Sequence, residues 1–164
     1  MSMKGSVCLA TLLLTLAAGT AVAADLPKSG KFTVHGGWKA ISQATQVADN
    51  HTISYTGNWG VTYNDAGVGP LHMGAVFCSS TGDLANGVGP VKGYCAWGDA
   101  DGDKIFTDFS GAVPKQGEGA SGMNRITGGT GKFAGIQGTA PFQCQVLNTI
   151  GQFTCKQQFE YRLP

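Results

Sequence analysis

Cys78 and Cys95 stand at equal distances on either side of Asn86-Gly87, and that symmetry restricts the fold more than any other feature of the chain. Asn-Gly is the dipeptide best suited to a two-residue type I′ turn, in which both central residues take positive φ. A hairpin closed there sets the two cysteines face to face. Cys144 and Cys155 are likewise equidistant from Thr149-Ile150, so a second antiparallel hairpin brings them opposite each other as well. Two cross-strand disulfides, each stabilising by roughly 2–3 kcal/mol in the chain-entropy picture, describe an antiparallel β-protein.

The fifth cysteine does not disturb this pairing. Lys4, the apolar run from Val7 to Ala18 and the small residues Ala21-Val22-Ala23 read as a cleaved signal peptide over residues 1–24, and Cys8 lies inside its apolar run. Residues 25–164 are expected to form one domain in an oxidising compartment, periplasmic or secreted. No cysteine pair has C-x-x-C spacing and no histidine lies near a cysteine in sequence, so zinc is not expected. Taking Lys4 away with the leader leaves ten basic against ten acidic residues. A neutral chain without a basic run is a poor partner for nucleic acid. The apolar run is too short to span a bilayer, and no later segment approaches the roughly 20 apolar residues of a spanning helix.

Hydropathy alternates with period two almost throughout. Strands are predicted at about 31–47, 52–64, 70–80, 90–99, 104–112, 117–127, 132–146 and 151–163. They are joined by turn signals such as Asp65-Ala66-Gly67, Asp101-Gly102 and Gly128-Gly129-Thr130-Gly131. Eight strands with short connections make an up-and-down meander that closes into an antiparallel barrel, with an open sandwich as the alternative. Pairing Cys144 with Cys155 places Ala140, Phe142, Phe153, Phe159 and Tyr161 on the cysteine face, and glutamines and charges on the other. In the first hairpin Val76 and Trp97 share the cysteine face while Phe77 and Tyr94 lie opposite, which leaves the lumenal face open there. The segment before Phe32 is expected to be a short mobile arm.

The segment GGTGKFAGIQG at residues 128–138 is similar to the turn-and-strand signature of the allene oxide cyclase and dirigent barrel superfamily. The resemblance covers eleven residues and implies a small exported barrel with a largely apolar cavity. In the cyclases that cavity holds a fatty-acid-derived epoxide; in dirigent proteins it orients phenoxy radicals. No catalytic residue carries over.

Candidate chemistry is sparse. Asp99, Asp101 and Asp103 alternate like the first ligands of a calcium loop, but Lys104 stands where such a loop needs glycine and no glutamate follows at the twelfth position, so a hairpin turn is the better reading. Gly-Lys in GGTGK precedes a strand pattern and lacks the helix that a phosphate loop requires. His35, His51 and His72 are scattered. Glu118 is the sole candidate acid or base, should it point into the barrel, although a solvated strand end is the plainer expectation. Trp38, Tyr55, Trp59, Phe142, Phe159 and Tyr161 are expected to line the lumen, with Gly57, Gly138 and Ala140 leaving room beside them. No metal or cofactor is called for. The leading expectation is an exported barrel that binds a small apolar or aromatic ligand, or serves as a structural or interaction module, with a homo-oligomer as one form of the latter. A cofactor-free cyclase or isomerase resembling allene oxide cyclase is the alternative.

Overall fold

The computed structural model describes residues 26–148 and 150–164; the signal-peptide reading of residues 1–24 lies outside the described residues. Eight antiparallel strands follow one another: β1 (Ser29–Ala48), β2 (His51–Asn64), β3 (Gly74–Ala85), β4 (Gly89–Gly98), β5 (Lys104–Val113), β6 (Ser121–Gly129), β7 (Gln137–Val146) and β8 (Gln152–Arg162). Each pairs with its chain neighbours, and β8 returns to pair with β1, closing a barrel without sheet edges. The expected arm is instead the beginning of β1, held by β8 from Ser29 opposite Arg162 onwards.

The closure is staggered. From Gly30, successive partners run Tyr161, Gly138, Ile126, Thr107, Cys95, Cys78 and Asn58, and return to β1 at Ala40, ten residues further along. A shear of this kind tilts the strands by roughly 35–45° to the barrel axis. Asn86 and Gly87 both take positive φ (53° and 75°), as the β3–β4 turn demands, and disulfides join Cys78 to Cys95 and Cys144 to Cys155.

Both disulfides face inward, which fixes the lumenal side of each hairpin. Val76, Trp97, Cys78 and Cys95 are buried, whereas Phe77 and Tyr94 are exposed. Lumenal rings meet in a chain: Phe153 stacks on Trp38, Trp38 meets Trp97 edge to face at 5.7 Å, Trp97 meets Phe159 at 5.4 Å, and Phe159 stacks on Phe32 at 4.8 Å. A buried polar thread crosses the same core. Trp97 Nε1 donates to Thr107 Oγ1 (3.0 Å), which donates to Asn124 Oδ1 (3.1 Å), and Asn124 Nδ2 donates to the Ala140 carbonyl (3.2 Å). Each link removes a desolvation penalty of about 1–3 kcal/mol that an unmade bond would carry.

One strand is turned the other way from expectation. On β2 the polar residues Thr62 and Asn64 are buried, and Tyr55, Trp59, Val61 and Tyr63 face outward. The reason lies in the next loop. Thr62 Oγ1 donates to the Leu71 carbonyl (2.8 Å), Asn64 Nδ2 donates to the Pro70 carbonyl (2.9 Å), and Asn64 Oδ1 accepts from the Ala66 amide (3.0 Å). The polar face of β2 thus holds residues 65–73 across the barrel end, where Leu71 is fully buried at positive φ. This is why β3 starts at Gly74 rather than near residue 70. Similarly, Gly131–Phe133 form a 3₁₀ turn, and Phe133 and Ile136 plug the same end before β7 begins at Gln137.

These orientations separate the tryptophans energetically. Trp97→Ala should cost about 3–5 kcal/mol, whereas Trp59→Ala, on the outer wall, should cost no more than about 1 kcal/mol. Urea unfolding followed by far-UV circular dichroism measures both; equal losses would place Trp59 in the core.

Candidate functional site

Three places bring chemistry together: the lumen, the plugged end and the outer wall of β2–β4. Of the residues expected to line the lumen, Trp38, Phe142, Phe159 and Tyr161 do so. Tyr55 and Trp59 do not; they stand on the outer wall for the reason given above. The glycines thought to leave room beside the rings serve otherwise. Gly57 lies under Trp59 on the outer face, and a Cβ on Gly138 would meet the Glu160 carbonyl oxygen at 2.0 Å. Phe109, Trp97 and Phe32 are lumenal rings absent from the expected set; parity with Cys95 on β4 was the signal for Trp97.

Inward-facing positions of the described strands carry no Asp, Glu, His, Lys or Arg. Burial pushes the Tyr161 phenol above its ordinary value and keeps it neutral. Glu118 belongs to the β5–β6 loop, exposed and paired with Lys115 at 3.2 Å, because β6 starts only at Ser121. It points into water rather than into the barrel.

The plugged end explains the two glycine-rich motifs together. Lys132 reaches from GGTGK into the GDADGDK loop, where its Nζ lies 2.6 Å from Asp99 and 2.5 Å from Asp101. Asp103 accepts from the Lys132 amide (3.0 Å), and Asp99 Oδ1 accepts from the Leu71 amide (3.2 Å). The lysine ammonium therefore occupies the midst of the aspartates, as a cation would in a calcium loop. Gly131 is required here: its φ is +51°, and a Cβ would collide with the Asp103 carboxylate. The motif at 128–138 is thus a structural lock among three loops.

The lock's pH dependence follows from its charges. The hydrogen bond from Lys132 holds the Asp101 carboxyl below its ordinary 3.8, so its contribution is present above that value and is lost as pH falls through the lower folded value. Burial acts to lower the Lys132 pKa, but hydrogen bonds to Asp101 and Asp99 outweigh it and leave it above 10.5; its contribution is lost only as pH rises through the folded value. Lys132→Met should cost about 2–3 kcal/mol, less than the about 3–5 of a fully buried pair because Asp101 is half exposed. In urea titrations the gap between the two proteins should be flat near neutrality and narrow as pH falls below about 4 towards the lowered Asp101 value. A gap that widens in acid would mean that the aspartates are not what Lys132 neutralises.

The outer wall of β2–β4 is the largest unexplained feature. Trp59 and Phe77 sit opposite each other in register with ring centroids 6.3 Å apart. Tyr55, Val61, Tyr63, Met73 and Tyr94 surround them, all at least 40 % exposed. Beside this patch runs a mainly apolar cleft of about 580 Å³ between Trp59, Val61 and Ala75 on one side and Leu147 and Gln152 on the other, with Lys39 also in its lining. Its floor is Gly37, over which nothing lies within 4 Å of a would-be Cβ. Charge lies around the rest of the barrel: Lys31 pairs with Glu160 (2.9 Å), and at the borders of the patch Arg125 grips Asp108, which lies opposite Tyr94, and His35, whose ring stacks on Tyr63, bonds Asp65 (2.5 Å). Arg125 holds the Asp108 carboxyl below its ordinary value, and His35 does the same for Asp65.

No family model matches the chain, and no curated protein matches it.

Proposed function

We propose that this protein is an exported, disulfide-stapled interaction module that pairs with a second copy of itself through the aromatic outer wall of β2–β4. The carrying observation is that wall. Five rings of about 150–250 Å² each, with Val61 and Met73, leave on the order of 700 Å² of apolar surface in water. That exceeds the apolar patch of a typical monomer and approaches the about 800 Å² that each partner buries in a stable interface. A second copy fits because the ring cluster itself is uncharged and its rim carries both signs, Lys39 opposite Trp59 and Asp108 opposite Tyr94, so two identical faces can meet about a twofold axis without net like-charge repulsion. The two disulfides and the leader-like N-terminus support a periplasmic or secreted location. The charged wall of β5, β6, β8 and β1 argues against burial of the barrel in lipid.

The cyclase-like alternative finds little support, since no carboxylate faces the lumen among the described residues and Glu118 faces water. Light scattering and native mass spectrometry of the exported protein should give a dimer at tens of micromolar. Trp59→Glu combined with Phe77→Asp should give a folded monomer with an unchanged circular dichroism spectrum, while Gln145→Arg on the opposite wall should leave the dimer intact. A wild-type monomer at all accessible concentrations would overturn the reading.

A further inference from the structure

The closure that removes the sheet edges stops short of the end of β1. That strand is 20 residues long, whereas β8 has 11. Their pairing ends with Lys39 opposite Gln152 and a last bond from the Ala40 amide to the Gly151 carbonyl (2.8 Å). β1 runs on to Ala48, held from there by β2 alone. Every residue from Ile41 to Ala48 is exposed, Ile41 by 58 % and Val47 by 54 %. Among the described residues no strand pairs with the other side of this stretch.

Backbone groups alternate between the two sides of a strand. Because the Ala40 amide points towards β8, the N–H and C=O of Ser42, Ala44 and Gln46 point the same way, into water. Such an edge is a template for another strand, and proteins blunt it with charge, proline or a bulge. Ile41 to Gln46 contains no charge, proline or glycine. The bulge comes only beyond it, where the register shifts between Gln46 and Ala48.

The segment's own residues define the strand that fits. A twofold axis at Ala44 sets Ala44 opposite Ala44 of a second copy, Ser42 opposite Gln46, Gln43 opposite Thr45 and Ile41 opposite Val47. It also brings the acidic end of each strand, at Asp49, to the basic end of the other, at Lys39. Centring on Ser42 instead runs the second copy into Gly151, and centring on Gln46 puts the bulge in the middle of the ladder. The Ala44 register alone uses the whole free stretch, sets apolar against apolar at Ile41 and joins opposite charges at both ends.

We propose that the free edge of β1 pairs with the same edge of a second copy, antiparallel about Ala44. This interface is separate from the aromatic wall and does not require it. Two twofold contacts on different surfaces link wall dimers into tetramers and longer assemblies as concentration rises. Only about five residues a side take part, so the edge contact is small and engages at roughly tenfold higher concentration than the wall.

The wall-broken variant, Trp59→Glu with Phe77→Asp, isolates the edge. In sedimentation velocity it should be monomeric at about 30 μM and largely dimeric by about 500 μM. In that dimer the amides of Ser42, Ala44 and Gln46 should exchange with deuterium at least about tenfold more slowly than in the monomer, while those of Gln43 and Thr45, directed at β2, should not change. Ala44→Pro removes a donor that the fold does not use, and Ala44→Lys sets two like charges face to face at the axis. Added to the wall-broken variant, each should abolish the dimer up to about 500 μM without altering the circular dichroism spectrum; the lysine serves where proline disturbs β1. Asp49→Lys should weaken the dimer about fivefold, and adding Lys39→Asp should restore it. A wall-broken protein that stays monomeric throughout, a dimer that survives both Ala44 substitutions, or a dimer whose three amides stay unprotected would overturn the proposal. In the wild-type background Ala44→Lys should leave the wall dimer intact, so the wall and the edge stand or fall separately.

Discussion

Four inward rings lie against glycines of a strand one or two places away, and the barrel depends on that contact. Trp38 covers Gly60, Tyr161 covers Gly30, Phe109 covers Gly93 and Phe142 covers Gly111, each within about 3 Å of where a Cβ would stand. A side chain at any of these glycines would push the ring into the lumen. A tilted eight-stranded barrel has an interior just wide enough for side chains, so large rings enter only where the facing strand gives up its own. Glycine in a strand interior weakens it locally, and here packing of the ring over the bare backbone compensates.

The same trade between small and large residues recurs at the plugged end, with charge added. Leu71, Phe133 and Ile136 fill the opening, but the loops that carry them bring backbone groups and three aspartates into a crowded space. Lys132 neutralises two of the aspartates directly, and the Asp103 carboxylate takes the Lys132 amide. Unpaired, Asp99 would be a buried charge of the kind that folded proteins avoid. A calcium-like spacing and a phosphate-loop-like motif, neither persuasive alone, turn out to be the two halves of one ion-paired lock.

With its polar face committed to the 65–73 loop, β2 has nowhere to bury its aromatics, and the outer wall inherits them. Function in this molecule is accordingly a matter of surfaces: an apolar wall facing water and a charged surface around the rest of the barrel. Each surface follows from where the barrel spends its inward positions.

The amino-acid sequence determined what is local. The Asn86-Gly87 turn, the pairing of both cysteine couples, the count of eight strands and the inward set of β7–β8 all follow from alternation around turns, because a two-residue turn fixes the register of everything beside it. Period two also separates the two faces of β2, yet it cannot say which face goes inside when one is aromatic and the other is threonine and asparagine. Only the tertiary structure decided that, through hydrogen bonds from Thr62 and Asn64 to a loop whose path no local signal describes. The reach of Lys132 to Asp99 and Asp101 and the ten-residue stagger are likewise invisible in the sequence. They are set by which residues meet when strands distant in the chain close on one another, and alternation along a single strand carries no record of that.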